Sequence, residues 1–127
     1  MRIDDSRPIW AQLVDEVRRL ITSGEWPPGG KIPSVRELAL EFGANPNTVQ
    51  KALVEIDRLG LTMTERTVGR FVTTDREAVA AARSALAETS ADGFIDAMAG
   101  IGLEPSEVIS LLEQRWAQRA AHGKDVP

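Results

Sequence analysis

Between Pro8 and Ser23 the apolar residues Trp10, Leu13, Val14, Val17, Leu20 and Ile21 recur at spacings of three and four, which predicts an amphipathic helix with one buried face. Pro8 suits its first turn and Gly24 its end. Trp26-Pro27-Pro28-Gly29-Gly30 then forbids regular structure and imposes a turn, after which Ile32 is placed to add a short strand. Ser34-Val35-Arg36-Glu37 has the Ser-x-x-Glu form of a capping box and opens a short helix to Phe42. Gly43 ends that helix in the left-handed conformation, and Asn45-Pro46 supplies the next N-cap and first-turn proline. The third helix runs to Leu59, with Val49, Ala52, Leu53, Ile56 and Leu59 inward, Asn47, Gln50 and Lys51 outward, and Gly60 as its stop.

Beyond Gly60, Leu61–Glu65 and Phe71–Thr73 are rich in β-formers and bracket Arg66-Thr67-Val68-Gly69-Arg70, a pattern that predicts a hairpin with Gly69 in its turn. Thr74-Asp75-Arg76-Glu77 reads as a second capping box, opening an alanine-rich helix that reaches Ser90 and, past Gly93, Met98. Gly100 and Gly102 break it. A last helix from Pro105 to Ala120 aligns Val108, Ile109, Leu112 and Trp116 on one stripe. Two helices with no third to cover them cannot bury both stripes within one chain, so a partner chain is expected. There is no internal repeat, and the polar tail 122–127 is expected to fray.

A chain of 127 residues suits one ordinary domain, or a small domain with an appendage, and leaves little room for a large enzyme with a buried cofactor cleft. With 43% hydrophobic and 27% charged residues it has the balance of a folded globular protein. Charges interrupt every apolar stretch and Met1-Arg2-Ile3-Asp4-Asp5 has no apolar signal core, so a cytoplasmic location and no membrane partner are expected. Zero cysteines exclude disulfides, thiolate metal sites and cysteine nucleophiles. No metal-ligand cluster, glycine-rich phosphate loop or nucleophile–base pair is visible, so neither catalytic residues nor a cofactor nor a metal is expected. The net charge of −4 is the wrong sign for a simple electrostatic DNA binder. Location changes that picture: residues 1–73 hold ten Lys/Arg against ten Asp/Glu, and 74–127 hold five against nine, so all the excess acid lies in the second part.

A short helix, a tight turn and a second helix with a polar outer face form the helix-turn-helix pattern, whose second helix enters the major groove. The hairpin with two arginines behind it reads as a wing. On this pattern Pro8–Thr73 resembles the DNA-binding domain of the GntR family, through Gln12, Ile21-Thr22-Ser23-Gly24-Glu25, Pro28-Gly29, Lys31-Ile32-Pro33-Ser34, Arg36-Glu37-Leu38-Ala39, Asn47-Thr48-Val49 and Gly60-Leu61. The remainder is similar to the short C-terminal region of the YtrA subfamily. The resemblance implies a mainly α fold with a small β-wing: a winged helix-turn-helix domain over 1–74, a two-helix dimerisation region over 75–121, and the tail. It further implies a homodimeric repressor of a palindromic double-stranded operator, tied to transport or stress genes.

The resemblance also assigns roles. Ser34 grips phosphate and Arg36 reads a base, since a guanidinium can donate two parallel bonds to guanine O6 and N7. Asn45-Pro46 replaces the Ser-Arg pair usual in the family, so the arginine expected there is absent. Asn47 or Gln50 is suited to adenine and Lys51 to phosphate, while Thr48 is open between DNA and its own helix backbone. Arg66, Gly69 and Arg70 belong to the wing, the two arginines being assigned to phosphate or minor groove rather than to acids such as Glu65. Leu86, Phe94, Met98, Leu112 and Trp116 form the expected dimer interface. Trp10, Trp26 and Trp116 are expected to pack in apolar surroundings, and His122 to be solvated. The competing readings are a winged-helix protein-interaction module and a ligand-sensing domain. A small-molecule effector of unspecified identity has room only at the dimer interface.

Overall fold

The computed structural model describes residues 1–123, in the order α1 (Ile9–Ser23), α2 (Val35–Phe42), α3 (Pro46–Arg58), β1 (Thr62–Glu65), β2 (Gly69–Val72), α4 (Arg76–Gly100) and α5 (Pro105–Ala121). The chain forms two compact units, Met1–Ala87 and one beginning at Glu88. In the first, the inward stripes of three helices meet: Leu13, Val14, Val17 and Ile21 of α1, Leu38 and Ala39 of α2, and Val49, Ala52, Leu53 and Ile56 of α3. Leu61 and Val72 close this core from the base of the hairpin, and Ile32 and Ala82 complete it. Gln12, a polar residue on the buried side of α1, is satisfied by the N-terminal segment: its Nε2 donates to the carbonyls of Asp4 and Arg7, each at 2.8 Å, and its Oε1 accepts from Asp4 N–H at 3.0 Å.

Capping fixes the helix-turn-helix. Ser34 Oγ accepts from Glu37 N–H at 3.1 Å while Glu37 Oε1 accepts from Ser34 N–H at 3.3 Å, so two free amides at the start of α2 are satisfied reciprocally. Gly43 ends α2 at φ +66, a conformation any Cβ would strain, and Asn45 caps α3 by accepting from Asn47 N–H at 2.8 Å.

Several details depart from expectation. The strand at Ile32 shrinks to a single antiparallel bridge between Lys31 and Phe71, although Ile32 N–H still donates to Arg70 O at 2.8 Å; Pro33, without an N–H, stops the ladder there. In the hairpin the left-handed tip residue is Thr67, at φ +66, while Gly69 already pairs with Glu65 as the first residue of β2. Gly69 has φ +136, a conformation that demands glycine; a Cβ there would lie 2.9 Å from Cε of the exposed Lys31, whose flexible end would have to shift. The cap of α4 is Asp75 rather than Thr74: Asp75 Oδ1 accepts from Glu77 and Ala78 N–H at 3.0 and 3.3 Å. Trp10 and Trp26 pack against the core, but Trp116 is 54% exposed, because the second unit has no core to receive it. His122 is exposed, with Nδ1 2.7 Å from Gln118 O; residues 124–127 of the expected tail lie outside the described residues.

Candidate nucleic-acid interface

On α3 the buried positions fix the outer stripe: with Val49, Ala52, Leu53 and Ile56 inward, Asn47, Gln50, Lys51 and Val54 face solvent along the first turns of the helix. Asn45 uses its side-chain oxygen as a cap and keeps its amide N–H groups as donors. The hydroxyl of half-buried Thr48 makes no hydrogen bond among the described residues. The ammonium of Lys51 stands 4.5 Å from the centre of the Trp10 ring, a cation–π contact that holds this cation beside the start of α1. On α2, Arg36 projects opposite the buried pair Leu38 and Ala39, with neither an ion-pair nor a hydrogen-bond partner among the described residues. Ser34 Oγ accepts from Glu37 N–H in the cap and keeps its hydroxyl proton to donate.

The wing differs most from expectation. Arg66, at the tip, is exposed and unpaired among the described residues. Arg70, assigned to phosphate or minor groove, is held by an acid within the protein: its side chain is 15% exposed and its guanidinium grips Asp57 of α3, with Nε–Oδ1 at 3.1 Å and Nη2–Oδ2 at 3.0 Å. The reason is register. Arg70 lies opposite Thr64 in the ladder, and this face of the hairpin turns toward α3, where Asp57 also accepts from Thr62 and Thr64. Lys31 was missed as a candidate. Its exposed chain runs beside Gly69 in a groove also lined by Ser34, Glu37, Thr64 and Arg70, and its ammonium has no acid partner among the described residues. Its place next to Ser34 in the Lys31-Ile32-Pro33-Ser34 motif was the available signal.

These contacts sort the charges of the first unit. Arg7, Arg18, Arg19, Arg58 and Arg70 are paired with Asp15, Glu16, Glu25, Glu55 and Asp57. Hydrogen bonds from Arg19 hold the Glu16 carboxyl below the usual carboxylate range, and Arg58 does the same to Glu55. Seven cations of this unit, Arg2, Lys31, Arg36, Lys51, Arg66, Arg76 and Arg83, have no acid partner among the described residues. Lys31, Arg36, Lys51 and Arg66 lie on the helix-turn-helix, the wing or the strand edge beside it; Arg2 lies near the N-terminus, and Arg76 and Arg83 lie on α4, with Arg83 donating to the Thr22 carbonyl. A domain neutral in sum thus still places four unpaired cations on the elements suited to a nucleic acid.

In the second unit no residue of α5 is buried, and Phe94, Met98, Leu103 and Val108 are only half-covered. Ile95, Ile101, Ile109, Leu112 and Trp116 are exposed, and α4 and α5 enclose an open apolar hollow of about 610 Å³ between Phe94, Ile95, Leu103, Val108, Ile109 and Leu112. Of the residues expected at a dimer contact, Phe94, Met98, Leu112 and Trp116 lie in this unit; Leu86, half-buried, lies just before it. No helix among the described residues is long and apolar enough to cross a membrane.

Comparison with known proteins agrees with this geometry. Residues 10–72 match the model of bacterial regulatory proteins, gntR family. The chain is 34% identical over 108 residues to the HTH-type transcriptional regulator YhcF of Bacillus subtilis, covering 85% of this chain and 89% of that one. It is 45% identical over 67 residues to the HTH-type transcriptional repressor YtrA of the same organism, covering 53% of this chain and 52% of YtrA. Among solved structures, a GntR family transcriptional regulator from Listeria monocytogenes superposes with a TM-score of 0.81 at 30% identity, covering 88% of this chain and 98% of that one. The DNA-binding domain of AraR in complex with operator ORE1 matches with a TM-score of 0.52 at 30% identity, covering 57% of this chain and 89% of that one.

Proposed function

From the premise that this chain belongs to the gntR family of bacterial regulatory proteins and is a DNA-binding transcriptional regulator, we propose that it is a repressor that binds a palindromic operator as a homodimer. The observation that carries the DNA face is that four cations without acid partners among the described residues, Lys31, Arg36, Lys51 and Arg66, stand on or beside the helix-turn-helix and wing. Arg36 is the base reader. Asn47 and Gln50 face the major groove, and Asn45 and Thr48 donate to backbone or base at the start of α3. Ser34 and Lys51 hold phosphate, joined by Lys31; Arg66 is the wing contact, and Gly69 shapes the wing.

Dimerisation is assigned to the two-helix region over 75–121, through Leu86, Phe94, Met98, Leu112 and Trp116. It is supported by how little α4 and α5 bury, with Ala82 the one buried residue of α4 and none buried in α5; a pair of helices this small rarely sustains a fold alone, and a second copy offers the matching apolar face. The apolar hollow is given to that copy rather than to an effector, since its lining carries few polar groups to orient a small molecule. Repression is inferred from YtrA, a transcriptional repressor similar to this chain over the DNA-binding half. The test is selection of bound duplexes from a random pool, followed by a reporter carrying the selected site over its promoter. An inverted repeat and lower expression with the protein present are expected. A single half-site would overturn the dimer reading, and raised expression would overturn repression.

A further inference from the structure

We propose that Asp57 is a positioning residue for the wing: by holding Arg70, Thr62 and Thr64 it fixes the hairpin against α3, so that Arg66 at the tip meets DNA at one angle. The inference rests on the reading that the wing touches DNA, and it assigns Arg70 to the protein's own scaffold instead of to phosphate.

A hairpin of two four-residue strands has no stable orientation of its own. Its base is fixed by Leu61 and Val72 in the core, but toward the tip its side chains are largely exposed. Asp57 is where the middle of the hairpin is tied to a helix. Its carboxylate accepts from Arg70 Nε and Nη2, from Thr64 Oγ1 at 3.2 Å and from Thr62 Oγ1, so both strands are gripped by one group. These three partners share a face because Thr62 pairs with Val72 and Thr64 with Arg70, which puts Thr62, Thr64 and Arg70 on the side turned to α3. Asp57 sits in the last turns of the same helix that carries Asn47, Gln50 and Lys51. The contact therefore sets the wing relative to the helix that would lie in the major groove. Its partial burial, with Asp57 28% and Arg70 15% exposed in their side chains, makes it less open to exchange with water than the surface pairs of α1.

The sign of one substitution separates positioning from simple electrostatics. Asp57→Asn removes a negative charge and frees a cation, so long-range attraction alone would tighten DNA binding. Loss of the wing's orientation would weaken it. The experiment measures affinity of the full chain for its selected duplex by fluorescence anisotropy, for wild type, Arg66→Ala, Asp57→Asn and the double variant, with hydroxyl-radical footprints beside each titration. Arg66→Ala is expected to weaken binding several-fold in wild type and to have almost no further effect in the Asp57→Asn background. The footprint at the wing should fade in Asp57→Asn while that at the recognition helix persists. Equal cost of Arg66→Ala in both backgrounds, or tighter binding by Asp57→Asn, overturns the positioning role. No cost of Arg66→Ala in wild type overturns instead the wing contact on which it rests. Should Asp57→Asn not fold, Arg70→Met removes the same link from the wing side, and the same four-way comparison applies.

Discussion

Arg36 and Lys51 are both exposed cations of the helix-turn-helix, yet only Lys51 has a neighbour that holds it, the Trp10 ring. An unattached guanidinium at the start of α2 can align two donors on a guanine, whereas an ammonium seated on an indole acts as a fixed point charge. Arg36→Ala should therefore cost about 1–3 kcal/mol on the cognate duplex and relax preference at one base position of each half-site. Lys51→Ala should weaken cognate and scrambled duplexes alike and lower the slope of log affinity against log salt by about one per contact. Salt titrations of both variants on both duplexes check this; equal weakening by Arg36→Ala with loss of discrimination in Lys51→Ala would reverse the roles. At the wing tip, Thr67 holds a left-handed conformation that a β-branched residue adopts at a cost. Thr67→Asn should raise stability by about 1 kcal/mol, read as a higher midpoint in urea at unchanged slope. That strain was hidden in the sequence, as was the pairing of Arg70: Asp57 lies 13 residues away, and only the hairpin register decides that the two meet. Glu65 was the near acid in sequence, but in the ladder it stands opposite Gly69, away from the Arg70 pair position.

Elements whose start and stop are written in adjacent residues were legible. The inward positions of α1, α2 and α3, the capping box at Ser34, the turn at Gly43 and the Asn45-Pro46 start follow from spacing and local chemistry and are in the structure, except that Leu59, expected inward at the end of α3, is its C-cap and exposed, because the helix stops at Arg58. The cap of α4 was less so, because neighbouring Thr73, Thr74 and Asp75 offer rival hydroxyl and carboxylate caps; Asp75 accepts from Glu77 and Ala78 N–H, while Thr73 accepts from Asp75 N–H. The double duty of Ser34 gives an element-scale test. Aspartate is as good an N-cap as serine but puts a negative charge where a phosphate would sit, so Ser34→Asp should leave the thermal midpoint nearly unchanged and sharply reduce DNA affinity. Ser34→Ala should instead cost about 1 kcal/mol of stability. On α1, Glu16 has its pKa lowered by hydrogen bonds from Arg19, so its contribution is complete above the ordinary value of 4.5 and is lost as pH falls through the lower, folded value. Exposure of Arg19 keeps this small, on the order of 0.5 kcal/mol. Glu16→Gln should flatten the fall of Tm with acidification below roughly pH 5, and an unchanged pH profile would show that the pair contributes nothing.

At the scale of the whole molecule, α4 begins as part of the DNA-binding unit. Ala82 is buried in that unit's core, and Arg83 donates to the Thr22 carbonyl at the end of α1 with Nη2 at 2.7 Å and Nε at 3.3 Å. A cut at Thr74 would therefore strip a piece of the core, and a fragment ending at Ala87 is the better monomer control. The apolar stripe of α5 was legible in sequence: periodicity put Leu112 and Trp116 on one face, the lack of a third helix to cover it led to the expectation of a partner, and both residues are exposed in the structure. The full chain should sediment as a dimer at micromolar concentration and the fragment 1–87 as a monomer. Leu112→Glu with Trp116→Glu, both at exposed positions, should give a monomer whose first unit keeps its thermal midpoint. Salt adds a second signature. Residues 74–127 carry five basic against nine acidic residues, so two copies repel through this region, and salt should strengthen the dimer while it weakens the hold on DNA. On an inverted repeat the monomeric variant loses the gain from binding two linked half-sites, and its affinity should fall to that for a single half-site. If the doubly substituted chain still sediments as a dimer, the contact lies elsewhere on the molecule and the assignment of α5 to it is wrong.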